Sequence, residues 1–98
     1  MTLEANIERR ACTRALRELG VRSLKLNVRG QTGWPDRLFM IPGGRPLFIE
    51  FKRPGGELSA RQQYMIKMIK HRGYEVQVHD TIDGAFQAIL EALKRGSV

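Results

Sequence analysis

Two apolar runs, Leu38–Ile41 and Leu47–Phe51, flank the segment Pro42-Gly43-Gly44-Arg45-Pro46. Short apolar runs on either side of a Pro/Gly-rich turn predict an antiparallel hairpin. That hairpin constrains everything at its open end. Side chains on a strand alternate faces, so Glu50 and Lys52 share one face while Ile49 and Phe51 take the other. With Gly43–Arg45 as the loop, Pro42 faces Pro46, and Asp36 falls directly opposite Lys52. Asp36, Glu50 and Lys52 then lie on one face. A loop one residue longer or shorter would turn Asp36 to the other face unless a bulge corrected it.

A lone Glu-x-Lys on a strand is ordinarily an ion pair on a solvated face. A second carboxylate opposite it changes the chemistry. Asp36 and Glu50 offer hard oxygen donors that suit Mg²⁺ or Mn²⁺. A metal held there acidifies a bound water and neutralises charge on phosphoryl oxygens. Lys52 is placed to hold the attacking water or hydroxide and to stabilise a pentacovalent transition state. The pattern reads as a metal-dependent phosphodiester site.

Composition narrows the setting. Ninety-eight residues, 42% of them hydrophobic, make one small domain, 1–98, with a feasible but modest core. A dimer that buries more surface would suit such a chain. The net charge of +7 and a pI near 10.3 favour a polyanionic partner, most simply nucleic acid. Cys12 alone cannot form an internal disulfide or a cysteine zinc site, and it fits a cytoplasmic location. His71 and His79 are too few and too far apart for a histidine metal site. No apolar run approaches the ~20 residues that span a membrane, and the mixed charges of MTLEANIERR do not match a signal peptide. No membrane partner is expected.

The remaining elements follow from periodicity. Residues 2–19 predict a helix stopped by Gly20, with Leu3, Ile7, Ala11, Cys12, Ala15, Leu16 and Leu19 on one face. Glu4 and Glu8 fall inside that face; Arg9, Arg10 and Arg17 lie outside it. Glu4 is expected in a frayed first turn, where negative charge suits the helix dipole. Glu8, a full turn deeper, needs a partner: either the site or a buried salt bridge to an arginine. Val21–Val28 alternates as a strand, with Lys25 either near phosphate or solvated. In the loop Arg29–Trp34, Trp34 either stacks on a base or joins the core. Ser59 is the expected N-cap of a helix Ala60–His71, on which Gln62 faces inward and Gln63 outward. Tyr74–His79 is a fourth strand. Asp80 or Thr81 caps a last helix, which buries Ala85, Phe86, Ile89, Leu90 and Leu93, and Gly96-Ser97-Val98 is expected to fray. The order αβββαβα implies an α/β fold with a mixed sheet flanked by helices.

Pro35-Asp36 followed by Glu50-x-Lys52 resembles the PD-(D/E)xK nuclease signature. The longer string, Gly33-x-Pro35-Asp36-Arg37 through Glu50-x-Lys52 to Leu58-Ser59-x-x-Gln62, resembles the virus-type replication-repair nuclease (VRR-NUC) family, and the resemblance covers most of the chain. It implies a restriction-endonuclease-like core and a Mg²⁺- or Mn²⁺-dependent DNA endonuclease. Carried over by position, Asp36, Glu50 and the Phe51 backbone carbonyl are metal ligands. Lys52 is the catalytic lysine and Gln62 a supporting glutamine. The family also places a helix glutamate at the site, for which Glu8 is the better-placed candidate and a further possible ligand. Stand-alone members are associated with homodimers and branched DNA such as Holliday junctions. Lys25, Arg29, Arg37, Arg53 and Arg10 are the candidate DNA contacts. The rivals are a nuclease acting on flaps or duplex ends, a catalytically silent basic DNA-binding module, and a structural protein that uses Glu50–Lys52 as an ion pair.

Overall fold

The structure is a computed structural model in which residues 1–96 are described. Fraying was expected over Gly96-Ser97-Val98; Gly96 is instead the last residue of the final helix, and Ser97 and Val98 lie outside the described residues. Helix α1 (Leu3–Arg14) runs into one π-helical turn (Ala15–Leu19). Gly20 stops it at φ +68°, a conformation that costs residues with a Cβ. Then come β1 (Ser23–Lys25), β2 (Arg37–Ile41), β3 (Arg45–Phe51), α2 (Ala60–His71), β4 (Glu75–His79) and α3 (Ile82–Gly96). This is the expected αβββαβα order. The sheet order is β1-β2-β3-β4, antiparallel across the first two pairs and parallel between β3 and β4. A parallel pair needs a crossover, and α2 supplies it.

The hairpin register departs from expectation. Ile41 pairs with Arg45 and Met40 with Pro46, so the loop is Pro42-Gly43-Gly44 rather than Gly43–Arg45. Gly43 and Gly44 take φ of +95° and +76° and carry the reversal. Arg37 pairs with Ile49, and one further step along the ladder sets Asp36 opposite Glu50, not Lys52. The loop keeps its length of three residues, so the register moves by two. The face of every side chain is preserved, and Asp36 still shares its face with Glu50 and Lys52.

Strand β1 is shorter than the expected Val21–Val28. Its ladder extends only to Arg22, whose carbonyl accepts from the Met40 N–H, and to Leu26, whose N–H donates to the Asp36 carbonyl. Beyond that the chain turns away through Gly30 and Gly33, both at positive φ.

Both sheet faces are covered. On one, Ile7 and Ala11 of α1, Ala15 of the π-helical turn, and Ala85, Ala88, Ile89 and Ala92 of α3 pack on Phe39, Ile41, Leu47, Ile49 and Phe51. The alanines let the helices approach the sheet closely. On the other, Ile66 and Ile69 of α2 pack on Phe48 and Val76, rimmed by Trp34, Leu26, Leu38 and Leu58. Trp34 thus joins the core, and its Nε1 donates to Gln31 Oε1 at 2.9 Å. Ile49 and Phe51 are both 0% exposed. Burial of such side chains is worth about 1.5–3 kcal/mol each, so the strand position between them, Glu50, is firmly placed.

Candidate active site

The open end of the hairpin gathers three carboxylates. Glu50, only 2% exposed, projects from β3. Asp36 enters just ahead of β2, behind the buried Pro35, and its Oδ2 accepts the Phe51 N–H at 2.8 Å. Glu4 comes from the first turn of α1, which is ordered by the Thr2 hydroxyl accepting the Ala5 N–H at 3.0 Å. One carboxylate oxygen from each of Glu4, Asp36 and Glu50 lies within 4.8 Å of the others. These are hard donors at a spacing that suits a divalent cation.

Lys52 Nζ stands 3.6 Å from Glu50 Oε2, and its side chain is only 13% exposed. Burial and the charge of Asp36, with Glu4 adding to them, push the Glu50 carboxyl up to about 7, against the opposing pull of Lys52. Three carboxylates with two close ammonium groups, Lys52 beside Glu50 and Lys25 at 3.5 Å from Asp36, leave the cluster short of positive charge.

Gln62 connects this cluster to α2. Its Oε1 accepts the Ser59 N–H at 2.9 Å while the Ser59 hydroxyl accepts the Gln62 N–H at 3.1 Å, a complete capping box. Because the oxygen is committed to Ser59, the amide nitrogen must face the site, and Nε2 donates to Glu50 Oε2 at 2.9 Å. The capping bond and the site contact are made by one side chain.

Glu8 is not in the cluster. It is buried one turn further along α1, where its carboxylate accepts Lys25 Nζ at 2.8 and 3.1 Å and Arg37 Nε at 2.7 Å. The buried salt bridge to an arginine is therefore what the structure contains, and Glu4 takes the place expected for Glu8. The reason is geometric: α1 begins at Leu3 with Thr2 as its cap, so Glu4 lies in a formed first turn that opens onto the hairpin end.

The sequence profile of the VRR-NUC domain matches residues 3–81. The chain belongs to the VRR-NUC family. Its fold is shared by a solved structure described as a VRR-NUC domain, with a TM-score of 0.80 and 26% identity over 92% of this chain and 97% of that one. A second, described as a VRR-NUC domain protein, superposes with a TM-score of 0.77 at 20% identity, covering 93% and 88%. No curated protein sequence matches the chain significantly. Membership makes this a nuclease-type domain, with nucleic acid as the substrate class.

The VRR-NUC domain places its basic residues unevenly. Lys25 and Arg37 sit beside the cluster on the face covered by α1, and Lys25 Nζ also lies 3.5 Å from Asp36 Oδ1. Arg10, Arg29 and Arg53 are exposed and make no ion pair among the described residues. Phe51 enters the site through its N–H.

Sequence reasoning undervalued two positions. Glu4 was set aside as a frayed residue, although Thr2 three residues before Ala5 was a visible capping signal. Gly33 carries φ +87°, and a Cβ there would lie 2.8 Å from the Arg61 carbonyl oxygen. Arg61 Nε in turn donates to the Thr32 carbonyl at 3.2 Å. The loop ahead of Asp36 thus docks directly on the first turn of α2, the turn that holds Gln62. Among the described residues, no helix is long and apolar enough to cross a membrane.

Proposed function

We propose that this VRR-NUC domain is a divalent-metal-dependent endodeoxyribonuclease. The observation that carries the reading is the Glu4–Asp36–Glu50 cluster, with Lys52 at its edge and the Glu50 carboxyl pushed up by burial and by its acidic neighbours. Asp36, Glu50 and Glu4 would hold Mg²⁺ or Mn²⁺, with the Phe51 carbonyl as a candidate further ligand. Such an ion supplies an acidified water and neutralises phosphoryl charge. The chain's own groups do the rest. Lys52, whose carbon stem is buried, holds its ammonium where an attacking water and a phosphoryl oxygen would meet. Gln62 keeps Glu50 from turning away. Hydrolysis leaves a 5′-phosphate if the domain follows its family.

A silent DNA-binding module is the poorer account. Three clustered carboxylates repel phosphate unless a cation intervenes. Branched DNA is the leading substrate, cut by a homodimer: one site acts on one strand, and a two-fold dimer offers two sites for two strands. The test is cleavage of a labelled four-way junction, a flap and a plain duplex with Mn²⁺, Mg²⁺ or chelator, alongside sedimentation equilibrium. Paired symmetric junction cuts by a dimer are expected. Cutting of flaps or duplex alone replaces the junction with those substrates, and binding without cutting in any metal overturns the nuclease reading.

A further inference from the structure

Lys25 and Arg37 face each other directly across the β1–β2 ladder. Like charges in that relation repel, and Glu8 provides the anion between them. The Glu8 carboxylate is 11% exposed and takes three short contacts from the pair. The arrangement is not closed. The Lys25 side chain is 50% exposed, against 25% for Arg37, and its ammonium is shared with Asp36 Oδ1 at 3.5 Å. The other oxygen of Asp36 is committed to the Phe51 N–H. A cation that binds Asp36 through Oδ1 therefore meets Lys25 there.

We propose that Lys25 is an exchangeable counter-ion of Asp36: a divalent cation entering the carboxylate cluster releases it, and Glu8 retains it with Arg37 beside the cluster as a two-point clamp for a backbone phosphate. This rests on the nuclease reading. Glu8 is then a positioning residue, holding the two cations at one spot and never touching substrate. Metal and nucleic acid bind with mutual reinforcement, because the ammonium that the metal displaces from a carboxylate becomes free for phosphate. Arg37 meets Glu8 through Nε at 2.7 Å, and its side chain is 25% exposed.

The test uses the intact protein as wild type, Lys25→Gln, Arg37→Gln and Lys25→Arg. Mn²⁺ affinity is measured by calorimetry without DNA. Duplex binding is measured in Ca²⁺ over a salt series, and cleavage is followed in Mn²⁺. Removing a cation 3.5 Å from Asp36 should tighten Mn²⁺ binding by about five- to tenfold in Lys25→Gln, the solvent-screened worth of one charge pair. Each of Lys25→Gln and Arg37→Gln should flatten the slope of log affinity against log salt by about one, and Lys25→Arg should restore it. Unchanged Mn²⁺ affinity in Lys25→Gln overturns the exchange. Unchanged salt slopes in both neutral variants overturn the clamp. In either case wild-type cleavage leaves the nuclease reading standing, whereas wild type without Mn²⁺ binding or cleavage removes both.

Discussion

Gln62 caps α2 and restrains Glu50 with one amide, and the two tasks can be separated. Gln62→Ala removes both. The lost cap costs about 1 kcal/mol, and a hydrogen bond to a charged group is worth about 1.5–3 kcal/mol. Water entering the half-buried space offsets part of this, so the expected destabilisation is about 2–3 kcal/mol. Gln62→Glu keeps the acceptor for the Ser59 N–H but sets a carboxylate where Nε2 now lies 2.9 Å from Glu50 Oε2. The Glu50 carboxyl titrates near 7. Below that pH a proton bridges the two groups and the variant should be close to wild type. The second carboxylate holds that proton to higher pH, so the penalty relative to wild type builds up between pH 7 and about pH 9 and reaches about 1.5–3 kcal/mol once both groups are charged. Urea unfolding with chelator at pH 6 and about pH 9 reads this directly. If Gln62→Glu is as damaging as Gln62→Ala at pH 6, or equally stable at both pH values, the dual role assigned to this side chain is refuted.

The raised Glu50 pKa has two further consequences of opposite sign. In the metal-free protein the folded state holds the proton more tightly than the unfolded chain, so the stability it contributes is full below 4.5 and is lost as pH rises to and through about 7. Metal binding requires the carboxylate, so Mn²⁺ affinity should be about tenfold lower at pH 6 than at pH 8, with a proton released below pH 7; calorimetry in buffers of different ionisation enthalpy checks both. Glu4→Gln should lower Mn²⁺-dependent cleavage by about 100-fold or more with little change in urea midpoint, while Glu8→Gln, which strips a buried anion from two cations, should cost about 2–4 kcal/mol of stability. Gly33→Ala combines positive φ with a backbone clash on α2 and should cost more than about 1–2 kcal/mol in urea unfolding, weakening Mn²⁺ binding through the displaced Gln62 turn.

The elements and the site pattern were legible for different reasons. Two short apolar runs around a Pro/Gly turn allow only a hairpin, and a helix between β3 and β4 lets those strands run parallel. The face shared by Asp36, Glu50 and Lys52 survived a misplaced loop, because side-chain direction depends on register parity and not on the pairing itself. Gln62 was legible from the i, i+4 stripe of α2. The Glu4/Glu8 assignment was not. It depends on where α1 starts and on the Lys25–Arg37 pairing between strands separated by a loop, and neither distance is encoded in local periodicity. The length of β1 was lost for a similar reason: Asn27 and Val28 alternate correctly, but the chain opposite them turns away at Gly33. Trp34 shows the limit of residue type alone, since a ring that can stack on a base can also fill the edge of a core.

The most direct test of the account is Mn²⁺-dependent cleavage of labelled DNA by wild type and Lys52→Ala, with Ca²⁺-supported binding measured on the same samples. Wild type is expected to cleave, and chelator to abolish the cleavage. Lys52→Ala is expected to lose about 1,000-fold or more in rate with DNA affinity within about twofold, because Lys52 acts on the reacting phosphate rather than on the bulk of the duplex. Undiminished cleavage by Lys52→Ala, or wild-type cleavage that persists in chelator, would contradict the account.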